Sequence, residues 1–335
     1  MWQRIKANGV LLVMVGMFVM LAGCGSTAEH SEGSAQPAVE AGAAGASSPS
    51  PTQAPEATTR IYKDDTGREV EIPTHPQRIV ANYYIGDLLS LGVKPVGAAE
   101  QFFLKSSYLK DRLDGVESVG DNGGYNIEKI LSLHPDLILI NEFAKPEEVE
   151  KLSQVAPTVT VKYAGSDMYV HLNKVADIVG RTAEAQQWTD QYRAKAARIK
   201  EQLAVGGQQA ETATVLQFMN KQVFAYFENI SVTVYQTLGF AVPPKVKQMN
   251  EGNTTGYAKL SMEVLPDYSA DRMFVIQPYD TLSDAIYKET LDSPLWKSLP
   301  AVQNHRVYTL DNKWNSSDPI SMDAQLDDIV KLLLN

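Results

Sequence analysis

Three sets of residues in this chain have types and spacings that could do chemistry. The first is a thiol. Cys24 is the only cysteine, and it closes the apolar run that ends Leu21-Ala22-Gly23-Cys24. With one cysteine, no disulfide can form within the chain. The second is a pair of carboxylates in matched segments. Asn126-Ile127-Glu128-Lys129-Ile130 leads to Pro135-Asp136 and an apolar strand. Ser261-Met262-Glu263-Val264-Leu265 leads to Ala270-Asp271 and another. Glu128 to Asp136 is eight residues, and so is Glu263 to Asp271. Each glutamate falls in the first turns of a short helix, where the helix dipole favours it by a few tenths of a kcal/mol. One such residue means little. Two at the same register could engage a two-fold symmetric partner carrying cationic pockets. The third set is aromatic and amide-rich: Tyr83, Tyr84, Phe102, Lys105 and Tyr125 in the first half, then Phe227, Tyr279, Trp314 and Asn315 in the second. Aromatic faces supply contact area and amides supply donors, as small-molecule pockets require.

Other chemistries lack a motif. The five histidines are His30, His75, His134, His171 and His305, and none pairs at metal-ligand spacing. No direct metal site and no cofactor are expected. No Gly-x-Ser-x-Gly, P-loop or Gly-x-Gly-x-x-Gly occurs, so nothing points to an enzyme.

These residues must be held by the elements around them. Strands are predicted at 78–82, 93–98, 137–140 and 159–161, alternating with helices at 127–133 and 146–153. Leu137-Ile138-Leu139-Ile140 is apolar on both faces, as in a buried parallel sheet. The same alternation restarts at Val215, with strands at 215–218, 223–226, 273–276 and 307–310 and a closing helix at 322–334. Strands alternating with helices indicate an α/β fold, here in two Rossmann-like lobes with mainly parallel sheets. Between them lies a long amphipathic helix over 182–203, with Ala185, Trp188, Tyr192, Ala196, Ile199 and Leu203 on one face. Thr182 is expected to cap it. At 1.5 Å per residue it runs about 33 Å, enough to cross from one lobe to the other. The expected lobes are 60–181 and 204–335. In open α/β sheets ligands sit beyond the carboxyl ends of the strands, so the aromatic loops should face one cleft.

The N-terminus reads as an address. Arg4 and Lys6 precede an apolar stretch from Val10 to Ala22, the pattern of a secretory signal over 1–23 and too short to span a bilayer. Leu-Ala-Gly-Cys resembles the bacterial lipobox, which implies acylation of Cys24 and a lipid anchor on the outer face of a cell membrane. Residues 24–59 are mostly Gly, Ala, Ser, Pro, Thr and Glu, a composition that suits a disordered tether. Removal of 1–23 takes away Arg4 and Lys6 and no acids, so the net charge goes from −10 to −12. An acidic chain outside the membrane is a poor nucleic-acid binder.

Taken in order, Arg78-Ile79-Val80, Leu91-Gly92-Val93-Lys94-Pro95-Val96-Gly97, Asn126 to Ile130, Pro135-Asp136-Leu137-Ile138, Leu295-Trp296-Lys297 and Arg306-Val307-Tyr308 resemble the class III solute-binding proteins of ABC importers. The resemblance covers nearly all of 60–335 and leans toward Gram-positive ferric-hydroxamate receptors. It implies two α/β lobes joined by one rigid helix and a monomer that delivers a ferric siderophore to an ABC permease dimer with its ATPase. It also implies salt bridges from Glu128 and Glu263 to that permease. Haem, cobalamin and catecholate chelates are the alternative ligands. With only Lys105 and Lys313 as cations in the expected cleft loops, a weakly charged hydroxamate fits better than an anionic tris-catecholate.

Overall fold

The computed structural model describes residues 58–335 apart from 104–106, 121–123, 164–166, 254, 279 and 335, and without the side chains of Phe102, Phe103 and Gln209. Cys24, Lys105 and Tyr279 lie outside the described residues, as does the Phe102 side chain. All described residues fall in one compact unit, Pro55–Asn335.

An antiparallel hairpin opens the fold, β1 (Thr59–Lys63) with β2 (Glu69–Pro73). The first sheet follows: β3 (Ile79–Ala81), β4 (Gly97–Ala98), β5 (Glu117–Ser118), β6 (Leu137–Asn141) and β7 (Thr158–Val161). Its order is β5-β4-β3-β6-β7 and every pairing is parallel. Every residue of β6 is buried, as its unbroken apolar sequence predicts for a central parallel strand. The strand expected over 93–98 shrinks to two residues, because Pro95 has no N–H to offer a ladder. The turn of the hairpin clasps the open edge of β7. The Asp64 carboxylate accepts from the backbone of Thr66 and Arg68, from the Arg68 guanidinium and from Thr160 N. Arg68 reaches on to Thr158 O, which shields an edge that would otherwise offer unpaired backbone groups.

The first lobe carries α1 (Ile85–Ser90), α2 (Ile127–Ser132), α3 (Pro146–Ser153) and α4 (Met168–Val179). Helix α5 (Thr182–Val205) then bridges the two cores. Ala185 packs into the first core with Leu88, Leu137 and Val175, whereas Tyr192, Ala196, Ile199 and Leu203 pack into the second with Val215, Phe274 and Leu326. Trp188 touches both cores. The cap differs from expectation. Thr182 is the first helical residue, Arg181 occupies the cap position without a side-chain bond to the helix backbone, and its guanidinium pairs with Glu184 at 2.8 Å instead.

The second sheet contains β8 (Ala213–Met219), β9 (Gln222–Tyr226), β10 (Tyr257–Leu260), β11 (Arg272–Ile276) and β12 (Val307–Leu310), in the order β10-β9-β8-β11-β12. It is mixed. β8, β11 and β12 are parallel, while β9 runs antiparallel to both β8 and β10. The reason is local: Asn220 and Lys221, the two residues between β8 and β9, have φ of 51° and 59°, the left-handed pair of a tight hairpin turn. Beyond β9 the chain winds into a π-helical stretch, Thr233–Thr237. Helices α6 (Pro244–Asn250), α7 (Thr281–Asp292), α8 (Pro294–Lys297), α9 (Pro300–Gln303) and α10 (Pro319–Leu333) complete the lobe. Among the described residues no helix is long and apolar enough to cross a membrane.

Candidate functional site

The carboxyl ends of β3, β6 and β7 converge on one rim of the first lobe. Asn82, buried just past β3, donates from its amide to the Tyr125 hydroxyl. Asn141 ends β6 and accepts from Phe143 N at 3.2 Å. Glu142 accepts from Tyr163 N at 2.9 Å, which ties the loop after β6 to the loop after β7. The Tyr83 ring stands edge-on to Tyr84 and to Tyr163, with centroids 5.7 and 5.8 Å away. Tyr163 in turn stacks on His171, 6.3 Å between centroids. Burial raises the pKa of the Tyr83 and Tyr163 phenols, so both remain protonated donors at neutral pH.

The second lobe meets this rim through the segment that leads into α10. The Tyr163 hydroxyl and Ser317 Oγ are 2.8 Å apart. Asp318 caps α10 by accepting from Ser321 N at 3.0 Å, and its carboxylate fills the space that a Cβ on Gly86 would occupy. Close by, His171 Nδ1 lies 2.6 Å from Asp87 Oδ1, both side chains almost fully buried. Burial alone would lower the His171 pKa, but the charge and hydrogen bond of Asp87, with help from Asp318, raise it above its ordinary value. Burial holds the Asp318 carboxyl above the usual carboxylate range. A second tie lies further along: Tyr108 OH donates to Asp328 at 2.6 Å, Trp314 Nε1 donates to the same oxygen at 3.2 Å, and Lys313 Nζ sits 5.8 Å from the centre of the Tyr108 ring. Helix α10 thus buttresses the junction that α5 spans covalently.

A cavity of about 780 Å³ opens between the start of α4, one side of α5, the Glu228–Thr237 segment and α10. That volume is within the range of small-molecule sites, roughly 300–1,000 Å³. Its walls combine Tyr169, Tyr192 and Met322 with the charged groups of Arg193, Lys200 and Glu228. The Arg193 guanidinium lies over the Tyr169 ring at 4.8 Å, which keeps the cation oriented while its charge stays available. Trp188 stacks on Tyr192 at 5.1 Å and 14°, placing an indole directly behind the cavity wall. Among the described residues no cluster of three or more His, Cys, Asp or Glu could hold a bare metal ion.

The residues singled out from the sequence scatter across these places. Tyr83 and Tyr125 are half-buried on the first-lobe rim, and Asn315 is exposed on the loop after β12. Tyr84, Phe227 and Trp314 are corrected to core positions. Tyr84 is 3% exposed with its hydroxyl donating to Val161 O, and Trp314 is 1% exposed with its indole N–H held by Asp328. Phe227 fails for a topological reason as well. β9 runs against β8, so the residue after β9 emerges at the opposite edge of the sheet from those after β11 and β12. Glu228, one residue further on, lines the cavity. Glu128 and Glu263 are both exposed, in the first turn of α2 and of a 3₁₀ stretch, Met262–Tyr268. The eight-residue repeat has a structural counterpart. Asp136 accepts from the backbone N of Gln77 and Arg78, just before β3, and Asp271 accepts from Thr212 N, just before β8. Arg193 and Lys200 were hidden in the sequence because they flank the buried face of a bridging helix. Their separation of seven residues, two turns on one side, was the available signal.

Comparison with known proteins agrees with this architecture. A family model described as periplasmic binding protein matches residues 79–314. The Iron(3+)-hydroxamate-binding protein FhuD of Bacillus subtilis is 32% identical over 98% of this chain and 98% of its own length. A second Bacillus subtilis Iron(3+)-hydroxamate-binding protein, YxeB, is also 32% identical, over 96% of both chains. Among solved structures, Staphylococcus aureus SirA complexed with staphyloferrin B superposes with a TM-score of 0.71 at 28% identity, covering 82% of this chain and 98% of SirA. A FhuD fold-family component of a ferrichrome ABC transporter from Bacillus subtilis gives the same TM-score at 31% identity, covering 81% and 98%. These are binding proteins rather than enzymes. With its two lobes, its bridging helix and a family match across most of the folded region, the chain belongs to the periplasmic binding protein family.

Proposed function

We propose that this protein captures a ferric siderophore outside the cytoplasmic membrane and hands it to an ABC permease, with a hydroxamate chelate as the favoured ligand. The observation that carries the reading is the similarity, 32% identical and nearly end to end, with two ferric-hydroxamate-binding proteins. The cavity beside α5 supports it. Tyr169, Tyr192 and Met322 offer apolar contact to the organic shell of a chelate, and Arg193 and Lys200 offer donors to its oxygens. Iron is the cargo and stays within its chelator. Lipid attachment at Cys24 would keep the receptor at the membrane, and the tether over 24–59 would let it reach its permease. Glu128 and Glu263 are the proposed permease contacts.

Arg193 and Lys200 in one cavity also favour a second reading, an anionic ferric chelate, over a neutral one. One titration separates the two. Trp188 behind the cavity wall reports occupancy through its fluorescence. Saturable quenching by ferrioxamine B is expected, weakened in Arg193→Ala. Quenching by staphyloferrin B alone would move the assignment to the anionic class. No response to any ferric chelate would overturn the siderophore reading.

A further inference from the structure

The two sheets expose a duplicated surface that the paired glutamates only partly describe. β6 and β11 hold the same place, fourth in the strand order of their sheets. The helical turn before each carries an exposed glutamate, Glu128 or Glu263, and neither makes an ion pair among the described residues. The same turns expose Leu131 and Val264. The segment after each strand exposes a larger apolar side chain, Phe143 past β6 and Leu282 at the start of α7 past β11, 63% and 59% accessible. Seven large apolar residues are exposed among the described residues, and four of them fall two to a lobe, in the segments just before and just after β6 and β11. Single exposed apolar residues need no explanation, but the same set repeated in two lobes does. Asp136 and Asp271 fix both sets to equivalent points of the frame, since each ties the approach to β6 or β11 to the start of β3 or β8.

We propose that each lobe presents a mixed footprint, one free carboxylate beside two apolar side chains, to one half of a two-fold permease. This rests on the receptor reading above and adds the apolar half of the contact. The occupant follows from the duplication and the charge. A surface repeated at corresponding positions of two lobes fits a partner made of two like halves, and exposed carboxylates select a cation in each half. Exposed ion pairs add little affinity and are screened by salt. The carboxylates therefore steer and orient the receptor, and Phe143 with Leu131, and Leu282 with Val264, supply the salt-independent part of the contact.

The test uses cells that carry full-chain variants as their sole receptor, with iron uptake read at low and high ionic strength and ferrioxamine B affinity read on each purified full-chain variant. Phe143→Ser with Leu282→Ser is expected to cut uptake roughly tenfold or more at both ionic strengths, as loss of two apolar anchors would, with chelate affinity unchanged. Glu128→Gln with Glu263→Gln should lower uptake and flatten its dependence on salt. Ile61→Ser with Val205→Ser, exposed apolar residues outside the footprint, should leave uptake unchanged. If the Phe143 and Leu282 variant transports within about two-fold of wild type while the glutamate variant fails, the apolar footprint is refuted and the glutamate docking stands. If both variants transport normally, docking through these rims is refuted as a whole. A loss of ferrioxamine B affinity in the apolar variant would overturn the inference by assigning those side chains to the ligand site.

Discussion

His171→Leu tests what holds the lobe junction together. His171 and Asp87 are 2% and 1% exposed, with Nδ1 and Oδ1 2.6 Å apart, and Asp318 of the second lobe lies in the same buried pocket. Removing the imidazole leaves Asp87 buried without its cation and beside a second carboxyl. Breaking one partner of a buried pair costs about 3–5 kcal/mol, because the abandoned charge has no solvent to turn to. Replacing both partners removes that charge, so Asp87→Leu with His171→Leu should lose clearly less than the single variant. Urea unfolding of the full chain near pH 6, followed by far-UV circular dichroism, gives both values. The reasoning is refuted if His171→Leu costs under about 1 kcal/mol, or if the double variant is the less stable of the two.

Stability should also fall as pH rises past neutrality. The folded His171 binds its proton more tightly than an unfolded histidine near 6.5, so its contribution is complete below that value and is lost as pH climbs through the raised folded value. Asp318 acts in the same direction over a lower range: its carboxyl is raised by burial, and ionising it from the ordinary carboxylate range upward costs stability. Thermal unfolding at a series of pH values should show this decline in wild type and a flatter profile in His171→Leu. Gly86→Ala should cost about 1–3 kcal/mol by denaturant unfolding, since the new methyl collides with the Asp318 carboxylate, and small-angle scattering should show the lobes displaced. Asp64→Ala should destabilise by about 1–3 kcal/mol, because the backbone N–H groups of Thr66, Arg68 and Thr160 lose their acceptor while Arg68, partly exposed, keeps Thr158 O. Burial opposes the charge on Asp64, but bonds from Thr66 and Arg68 outweigh it and hold its carboxyl below the ordinary range. Its stabilisation is therefore present above that range and lost as pH falls through the depressed value, so Asp64→Ala should weaken the acid-side decline in stability.

Elements whose signal is a continuous property were legible in the sequence. The unbroken apolar run 137–140 became the fully buried β6, and the three-and-four spacing of Ala185 to Leu203 became the face of α5 that enters both cores. The eight-residue match between Glu128–Asp136 and Glu263–Asp271 marked a real duplication, because both aspartates perform the same tie at the sheet edge. The β1–β2 hairpin was not legible because β1 alternates only between exposed and half-buried residues, β2 buries Ile72 alone, and both strands carry Lys, Arg or Glu. The reversal of β9 was hidden in Asn220-Lys221, a turn pair without the glycine that normally announces such a hairpin. Residue type alone could not sort the aromatics. Tyr83 and Tyr84 are neighbours of the same type, yet one lies on the rim and the other in the core, a distinction made by the φ of 52° at Tyr84 where α1 begins.

The dependence of the junction on α10 has a consequence for how the chain acquires its shape. The first sheet is complete by Val161 and the second by Leu310, so each lobe can condense around contacts of modest sequence separation. The bonds that set one lobe against the other wait for residues 317–328, and Tyr108 must find Asp328 across 220 positions of chain. Because Met322, Leu326 and Ile329 of α10 also fill the second core, that core and the junction close together, and a newly made chain would pass through a stage in which the first lobe is folded while the second still lacks its last core helix and its set against the first.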